Sequence, residues 1–519
     1  MLGALLRRPK RSGGLAKPHG GAWWDGLVRR RQAEGTPQPP PLVKELQAIC
    51  GEEHVLWQTD QLRSYEYDGS IDVGHPEAVA LVANRDEVVE VVKLAARHGR
   101  PIVPRGAGTG LSGGAILSEG GIAIGFSRMR RILEIDVENQ RAVCEPGTVN
   151  LDLSKAVAPH GLYYAPDPSS QAACSLGGNV AENSGGPHCL AYGVTTNHIL
   201  GLELVLSDGR IVTVSGSAAD TPGYDLTGLA VGSEGTFAVV TKIVVRLMRT
   251  HEAVRTLLAI YDTVDAASET TSAIIAAGII PAALEMLDGV TIEALRRAGH
   301  QGYPADAQAV LLVELEGLKE GVEELAPRVD SLCREHGARE IRTAATAEER
   351  DRLWKARKGA LGALGQIKPN YYLQDGVIPR TRLVEVLRTV AEVSRKYDLP
   401  IANVFHAGDG NLHPCLIFDQ RVPGETDRVV AAGADILRKC VEVGGTLSGE
   451  HGIGLEKQAY MSWVFSDADF DAMHRLHRAF DPHARLNPGK IFPTPQQVEA
   501  ARQLWLQRGP PTTTHVRET

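Results

Sequence analysis

The sequence predicts an α+β protein of two domains that meet near residue 250. Two patterns predict this class. Between residues 42 and 250, short alternating apolar segments are separated by glycine-rich loops, whereas residues 251–495 alternate strand-like runs with amphipathic helices. The 519-residue chain is long enough for each domain to bury its own core. We expect a flexible basic extension at residues 1–41 and a C-terminal tail at residues 496–519.

The first domain is predicted to begin with a strand, a helix and a second strand. Residues 78–82 form a short apolar run typical of a buried strand. Asn84 is a good N-cap with Glu87 three residues later, and apolar residues then recur at helical spacing. Gly99 suits the C′ position of this helix, and residues 101–103 form the next strand.

The second strand leads into a glycine-rich loop, residues 104–114. Apolar and small side chains alternate within residues 115–126, which predicts a strand and not a helix after the loop. Residues 132–149 predict two strands joined by a turn. Residues 194–215 alternate again, with a turn at Asp208-Gly209.

The second domain is predicted to be a sheet covered by helices on one face. The Gly-Asp-Gly-Asn turn at residues 408–411 lies between two strands and implies antiparallel pairing. The strand-like runs are residues 255–261, 309–316, 401–405 and 414–418. The amphipathic helices cover residues 318–336, 347–364, 380–397 and 426–443.

Charge disfavours binding to nucleic acid, although a local basic patch could escape this average, and hydropathy argues against a transmembrane span. The 55 basic and 63 acidic residues give a net charge of −8, a poor match to the phosphate backbone of nucleic acid. No stretch approaches the ~18–20 apolar residues needed to span a bilayer. The best candidate, residues 273–284, is short, contains Gly278 and Pro281, and is expected in the core.

The seven cysteines are odd in number, and no two have Cys-x-x-Cys spacing. This argues against a disulfide framework, a zinc knuckle and an iron–sulfur cluster borne by the chain. We expect buried thiols in a reducing compartment, which indicates a cytoplasmic protein, with peripheral association at the inner face of a membrane left open.

The N-terminal extension has five basic residues before its first acid, Asp25. Its apolar start, residues 2–6, is too short for a secretory signal. A flexible basic segment is the favoured interpretation, with targeting and partner docking as alternatives.

Residues 106–121 contain seven glycines, and residues 108–113 spell Gly-x-Gly-x-x-Gly. A Rossmann turn needs a helix directly downstream, but a strand is predicted here. We therefore interpret the loop as a nest of backbone amides for phosphate, with an ordinary glycine-rich turn as the alternative. Arg105 would add charge, and the Thr109 and Ser112 hydroxyls would donate hydrogen bonds. The candidate cofactor residues here are Pro104, Arg105, Gly106, Ala107, Gly108, Thr109, Gly110, Ser112 and Gly113.

Two further clusters mix glycine with small hydroxyl and amide residues. Such residues suit a long polar ligand that lies on the backbone, so three clusters in one domain indicate a cofactor longer than a lone phosphate. The candidates in these clusters are Pro166, Asp167, Ser169, Ser175, Gly177, Gly178, Asn179, Asn183, Ser184, Gly185, Gly232, Glu234 and Gly235.

Four ordered segments resemble the FAD-binding domain of the vanillyl-alcohol-oxidase-type flavoproteins. They are PIVPRGAGTGLSGG at 101–114, PDPSS at 166–170, SLGGNVAENSGG at 175–186 and GSEGTF at 232–237. The resemblance covers about residues 75–250 and implies FAD between two α+β subdomains. Some relatives carry a histidine in the first loop that bonds covalently to the flavin. This loop has none, so we expect non-covalent FAD.

The second domain carries two histidine-rich motifs, HAGDGNLH at 406–413 and GEHGIG at 449–454. Residues seven apart on an unbroken strand face opposite sides, but the Gly-Asp-Gly turn can fold His406 and His413 onto one pocket. With the Glu450 carboxylate they would form a set of two histidines and one carboxylate for a divalent metal such as zinc, and His451 would act as a base. The alternative for each histidine is a core or capping role.

Arg357 lies on a predicted helix beside Lys358. A guanidinium can bind a substrate carboxylate through two parallel hydrogen bonds, although spacing alone favours a solvated helix face. Tyr371, Tyr372 and Asp375 follow, either as polar groups of a pocket or, for the tyrosines, as aromatic core.

The second half also resembles the C-terminal domain of FAD-linked 2-hydroxyacid oxidoreductases. That family includes D-lactate dehydrogenases, D-2-hydroxyglutarate dehydrogenases and the flavin subunit of bacterial glycolate oxidase. The segments are HAGDGNLH, SGEHGIG, NPGK at 487–490 and NYYLQDGVIPR at 370–380, the last most similar to the glycolate oxidase subunit. A lysine that some relatives place near Tyr372 is absent, which disfavours bulky dicarboxylates. The resemblance implies metal ligands at His406, His413 and Glu450, a catalytic base at His451, a substrate-carboxylate ligand at Arg357 and a flavin neighbour at Asn487.

Together these features predict FAD-dependent oxidation of a small 2-hydroxyacid, glycolate or D-lactate, by hydride transfer to flavin N5. Because the chain lacks cysteines spaced to hold a cluster, electrons are expected to pass to a partner subunit, a soluble carrier or a membrane quinone route. Two alternatives stay open here: an oxygen-using flavoprotein oxidase of alcohols or sugars, and a non-catalytic FAD subunit of a larger oxidase.

Overall fold

The computed structural model describes residues 38–216 and 222–507, which fold around four β-sheets. Most of the predicted basic extension, residues 1–37, and the end of the predicted tail, residues 508–519, lie outside these ranges. Within the described ranges, no helix is both long and apolar enough to cross a membrane.

The first sheet contains four short strands flanked by three helices. These elements are α1 (Pro41–Cys50), β1 (Val55–Leu56), α2 (Thr59–Leu62), β2 (Ala78–Leu81), α3 (Arg85–His98), β3 (Ile102–Arg105) and β4 (Ile122–Gly125). The strand order is β1-β2-β4-β3, with β4 parallel to both β2 and β3. Helix α3 begins as predicted, because the Asn84 side chain accepts a hydrogen bond from the Glu87 amide at 3.0 Å. The segment after the glycine-rich loop is strand β4, which confirms that a Rossmann helix is absent there.

The second sheet has five antiparallel strands, and a two-stranded ribbon lies beside it in the chain. The elements are β5 (Ile132–Asp136), β6 (Arg141–Cys144), α4 (Asn150–Val157), β7 (Leu162–Tyr163), α5 (Leu176–Glu182), α6 (Cys189–Tyr192), β8 (Ile199–Val205), β9 (Ile211–Ser215), α7 (Leu226–Ala230), β10 (Val239–Arg246) and β11 (Met248–Arg249). The order is β5-β6-β10-β8-β9, and β11 pairs with β7. The predicted β5–β6 and β8–β9 pairs are confirmed.

Helix α5 was not predicted, because its sequence is rich in glycine. It begins at Ser175, whose Oγ accepts a hydrogen bond from the Gly178 amide at 3.3 Å. The first turn of this helix therefore lies among the residues that the sequence assigned to cofactor binding.

The remaining sheet has seven strands and contains all four strands that were predicted in the second half of the chain. The strands are β12 (Ala253–Tyr261), β13 (Ala283–Asp288), β14 (Ala309–Gly317), β15 (Glu340–Thr343), β16 (Asn370–Leu373), β17 (Ile401–His406) and β18 (Pro414–Phe418). Their order is β15-β12-β14-β13-β17-β18-β16, and every pairing is antiparallel.

Helices cover both faces of this sheet, so the prediction of one covered face is wrong. They are α8 (Val264–Ala276), α9 (Gly289–Arg297), α10 (Lys319–Glu335), α11 (Ala347–Ala363), α12 (Leu383–Tyr397) and α13 (Glu425–Glu442). Helices α8, α10, α12 and α13 share one core with Leu257 and Tyr261, whereas α9 and α11 share another with Leu258 and Ile260. A continuous apolar run such as residues 257–261 is the pattern of a strand buried on both faces.

The last two helices are α14 (Asp467–Phe480) and α15 (Pro495–Gln507). Helix α15 occupies the start of the segment predicted to be a tail, and the Trp463 indole donates to the Ala501 carbonyl at 3.0 Å. Between these helices the chain returns to the first sheet, where Leu486 bridges Ile102 of β3. This return brings Asn487 to the loop that follows β3.

Candidate active site

The glycine-rich loops and the histidine motifs line one cleft between the two halves of the chain. The predicted catalytic and metal residues that line it are Arg357, His413, Glu450 and His451, with His406 behind them. The predicted cofactor residues that line it are Pro104, Gly106, Ala107, Gly108, Thr109, Gly110, Ser169, Ser175, Gly177, Gly178, Asn179, Ser184, Glu234 and Gly235.

Two glycines of the first loop are explained by local geometry, Gly106 by close packing against helix α5 and Gly108 by its backbone conformation. A Cβ at Gly106 would collide with the Ser175 hydroxyl, and Gly108 has a φ of 70°, which disfavours other residues. Both positions line the cleft, so its wall is backbone close to the N-terminal turn of a helix. Exposed amides of this kind suit phosphate.

Nine predicted cofactor residues lie outside the cleft lining. They are Arg105, Ser112, Gly113, Pro166, Asp167, Asn183, Gly185, Gly232 and Asn487. The five of these residues that have polar side chains are bound to other parts of the protein.

The Arg105 guanidinium points into the protein, and the residue is 4% exposed. It donates hydrogen bonds to the carbonyls of Ala115 at 3.0 Å, Tyr67 at 2.6 Å and Ser64 at 3.3 Å, and it lies over the Tyr65 ring. In the structure Arg105 therefore connects the backbone segments behind the loop, and its guanidinium does not point toward the cleft as the predicted phosphate contact would need.

Ser112 and Asn487 join the first loop to the C-terminal half. The Ser112 hydroxyl donates to the His451 carbonyl at 2.8 Å, so it is not a free donor to the cleft. Asn487 Nδ2 donates to the Gly114 and Glu234 carbonyls at 2.8 and 2.6 Å. Both residues fix the backbone that surrounds the cleft.

Asp167 connects the cofactor loops to helix α11. Its carboxylate contacts His188 Nδ1 and Lys358 Nζ, both at 3.0 Å. His188 also lies 3.3 Å from Glu314, and its ring packs against Trp354 at an interplanar angle of 31°. Burial favours the neutral acid, but the charges of His188 and Lys358 outweigh it and hold the Asp167 pKa well below its usual value. Charged groups thus fix helix α11 to the loop that contains Asp167.

The β17–β18 hairpin brings the two histidines of the first motif together. Asn403 pairs with Pro414 and His406 with Asn411, so the strand register places His413 on the same face as His406. Their ring centroids are 5.0 Å apart. The predicted effect of the Gly-Asp-Gly turn is therefore confirmed.

Glu450 completes a cluster that has the donor chemistry of a metal site. Its Oε1 lies 3.1 Å from His406 Nε2, 3.3 Å from His413 Nε2 and 3.6 Å from His451 Nε2. His413 Nε2 is buried, and its contact with Glu450 Oε1 does not have hydrogen-bond geometry, so this nitrogen has no hydrogen-bond partner among the described residues. Burial raises the Glu450 pKa, but the nearby histidines outweigh it and hold it well below its usual value. Two imidazoles and one carboxylate fit a divalent metal such as zinc.

Glu285, which the sequence analysis missed, links this cluster to Arg357. It lies opposite His406 in the β13–β17 pair and contacts His406 Nδ1 at 2.8 Å. Its other oxygen forms an ion pair with the Arg357 guanidinium. A carboxylate behind an imidazole is the usual support of a histidine ligand.

Asp375 organises the second histidine motif. It is fully buried and accepts hydrogen bonds from the Ser448 hydroxyl at 2.6 Å, the His451 amide at 2.9 Å and Asn411 Nδ2 at 2.9 Å. Lys457 Nζ, 3.2 Å away, balances its charge. Asp375, together with the Ser112 hydroxyl, therefore fixes the backbone position of His451 at the cleft.

Arg357 is 2% exposed, so the solvated helix face that spacing alone favours is wrong. It lines the cleft together with Leu361, Tyr371 and Val404. Its Nε has no hydrogen-bond partner among the described residues. A buried guanidinium with spare donors at a cleft wall can bind an anion.

Two family models match the chain. One is described as FAD linked oxidases, C-terminal domain, over residues 250–491, and the other as FAD binding domain, over residues 76–215. The chain is 47% identical to glycolate oxidase subunit GlcD of Escherichia coli (strain K12) over 441 residues, which are 85% of this chain and 88% of that protein. The chain belongs to the FAD-linked oxidase family.

Another relative supports this family, and a solved structure supports the fold. A D-lactate dehydrogenase of Archaeoglobus fulgidus is 34% identical over 436 residues, 82% of this chain and 95% of that protein. A structure of p-cresol methylhydroxylase with substrate bound has a TM-score of 0.74 over 87% of this chain and 96% of that one. At 18% identity it shows the fold alone. The predicted two-domain flavoprotein fold is confirmed, and the protein is an FAD-dependent oxidoreductase.

Sequence reasoning missed further polar residues of this FAD-linked oxidase in and around the cleft. Besides Glu285 they include Glu182, which ends helix α5 and lines the cleft, and His188 and Glu314, which contact each other outside the cleft lining. An acid inside an apolar strand run, as at Glu285 and Glu314, is a signal of a buried functional or paired charge. Glu182 carried no such signal, because its neighbours are small and polar.

Proposed function

We propose that this enzyme oxidises a small 2-hydroxyacid, glycolate or D-lactate, to the 2-oxoacid. The observation that carries the proposal is that Arg357, His451 and the His413–Glu450 pair line the same cleft as the glycine-rich loops. The names of the relatives, glycolate oxidase subunit and D-lactate dehydrogenase, support the substrate class. Residues 42–250 would hold FAD and residues 251–495 the substrate.

In this proposal each cleft residue has a distinct role. Arg357 binds the substrate carboxylate through guanidinium donors that Glu285 leaves free. His451 accepts the proton of the substrate hydroxyl, because its Nε2 faces the Glu450 carboxylate and its backbone is fixed by Asp375. FAD, when bound, supplies the acceptor for the hydride from the substrate Cα. Leu361 and Val404 form an apolar part of the cleft wall, which suits the second Cα hydrogen of glycolate or the methyl group of D-lactate.

His406, His413 and Glu450 would hold a divalent metal such as zinc. The orphaned Nε2 of His413 and the Glu285 carboxylate behind His406 support this assignment. The metal would supply positive charge for the developing alkoxide of the substrate.

We further propose that FAD is bound without a covalent link and that electrons leave through a partner. The loop of residues 104–114 contains no histidine. The described cysteines are all free, and none lies in a cluster-ligating pattern, so this chain offers no carrier beyond FAD. A subunit or soluble carrier, reached in the cytoplasm or at the inner face of a membrane, would accept the electrons.

Product analysis tests the substrate. The purified holoenzyme is incubated with glycolate, D-lactate or L-lactate and an artificial electron acceptor, and the 2-oxoacid is quantified. We expect glyoxylate or pyruvate from at least one of the first two acids. Turnover of alcohols or sugars with oxygen, and none of either acid, would support an oxygen-using oxidase instead.

A further inference from the structure

Glu182 is a carboxyl group at the cleft that the proposed mechanism does not use. It is the last residue of helix α5 and lines the cleft. Its Oε2 is buried and has no hydrogen-bond partner among the described residues. A buried carboxyl oxygen without a partner is unfavourable unless a bound group satisfies it.

Two glycines make room for this carboxyl between the two halves of the chain. A Cβ at Gly114, in the first loop, would collide with Glu182 Oε1, and a Cβ at Gly452 would collide with Oε2. Gly452 directly follows His451, the proposed base. The carboxyl is therefore held between the first loop and the backbone that follows His451, at the His451 end of the cleft.

Lys457 and Lys490 lie near Glu182, but their hydrogen bonds go to other groups. The nearby Glu234 carboxylate accepts hydrogen bonds from the Ile453 and Gly454 amides at 2.7 and 2.8 Å. The Lys457 ammonium donates to the Gly452 carbonyl and to the Asp375 carboxylate. The Lys490 ammonium donates to the Ile116 and Pro488 carbonyls. Burial, followed by the charges of Glu234 and Asp68, raises the Glu182 pKa well above its usual value.

We propose that Glu182 is a flavin-facing acid that donates a hydrogen bond to the isoalloxazine ring and raises the reduction potential of the bound FAD. Hydride transfer adds negative charge to the ring, so a donor near its nitrogens and carbonyls stabilises the reduced form over the oxidised form. An ionised carboxylate at the same place would have the opposite effect. The inference rests on the proposed function only in placing the ring at the His451 end of the cleft.

The test is the midpoint potential of the bound FAD in Glu182→Gln and Glu182→Leu, measured with a chemical reductant and no substrate. Gln is neutral and keeps a donor, whereas Leu has similar bulk and no polar atom. We expect Gln to retain the wild-type potential and Leu to lower it. The matched control is Glu77→Gln, a carboxyl that pairs with Arg100 outside the cleft.

A higher potential in Glu182→Gln would overturn the proposal, because it would show that the wild-type carboxyl is ionised. Unchanged potentials in both variants would overturn it as well, since Glu182 would then have no effect on the ring. FAD content, measured on each variant, confirms that the potential is that of bound cofactor. Because no substrate is present, a wrong substrate assignment would leave this result intact and would appear only as a lack of flavin bleaching in the wild type.

Discussion

Arg357 and Glu285 form an ion pair in which the side chains are 3% and 0% exposed. The same Glu285 carboxylate contacts His406 Nδ1, so the proposed substrate-binding cation and a proposed metal ligand share one anion. Burial raises the Glu285 pKa, but Arg357 and His406 outweigh it and hold it below its usual value. The anion keeps the guanidinium oriented before a substrate carboxylate arrives.

Arg357→Lys should weaken substrate binding more than it slows the chemical step. A lysine keeps the charge but loses the planar pair of donors, and the loss of charge-assisted hydrogen bonds corresponds to about a tenfold to hundredfold increase in KM. Steady-state kinetics with glycolate and D-lactate measure this. Arg352→Lys, an exposed arginine on the same helix, is the matched control and should leave KM unchanged. An unaltered KM in Arg357→Lys would exclude the residue from carboxylate binding.

His406→Asn should lower the metal content of the purified enzyme, because it removes one of three ligands. Elemental analysis after dialysis measures the metal per chain. Glu285→Gln should weaken metal binding by about 10–100-fold, since it removes the support of that imidazole. His98→Asn, a partly exposed histidine paired with Glu45, serves as the control. Equal metal content in wild type and His406→Asn would rule out this ligand set.

Gly106→Ala should reduce the FAD retained on purification. The added Cβ collides with the Ser175 hydroxyl, so the loop must move away from the helix whose first turn lines the cleft. Gly321→Ala, in helix α10, meets no atom within 4 Å and should retain full FAD. The ratio of flavin to protein absorbance measures both. Full retention in Gly106→Ala would show that this close approach is dispensable.

The stability of the enzyme should depend on the charge of His188. Burial lowers the His188 pKa, but Asp167 and Glu314 raise it to about 10. The unfolded value is about 6.5, so the contribution is fully present below about pH 6.5 and is lost as the pH rises toward 10. The free energy of unfolding should change by at most about 1.4 kcal/mol for each pH unit in this range.

Thermal unfolding of wild type and His188→Asn across this pH range tests the prediction. The gap between their Tm values should be widest near about pH 6 and should narrow steadily at higher pH. A gap that is constant with pH would mean that His188 acts through packing alone, for example through its contact with Trp354.

Elements with local signals could be predicted from the sequence. Helix α3 has its cap in Asn84, and the β17–β18 hairpin has its Gly-Asp-Gly turn, and both form as expected. The histidine cluster was also within reach, because one turn decides the relative position of His406 and His413.

Long-range partners could not be predicted in the same way. Glu285 meets His406 through pairing of strands that are 121 residues apart in sequence, and it meets Arg357 through packing of helix α11 on the sheet. Asp375 likewise meets the second histidine motif through a contact between residues 76 positions apart. The direction of the Arg105 side chain was missed because two of its three carbonyl partners, Ser64 and Tyr67, lie 41 and 38 residues earlier in the sequence. A charged side chain in a phosphate-binding loop can contact either the ligand or the backbone of the protein, and the local sequence is the same in both cases.

Oxidation of a 2-hydroxyacid by the bound FAD is tested by anaerobic mixing of the FAD-loaded enzyme with glycolate or D-lactate, with the flavin absorbance followed through a single turnover. We expect that at least one acid bleaches the flavin and that Arg357→Lys needs a higher concentration of that acid for the same rate. Bleaching by a chemical reductant but by neither acid would contradict this expectation.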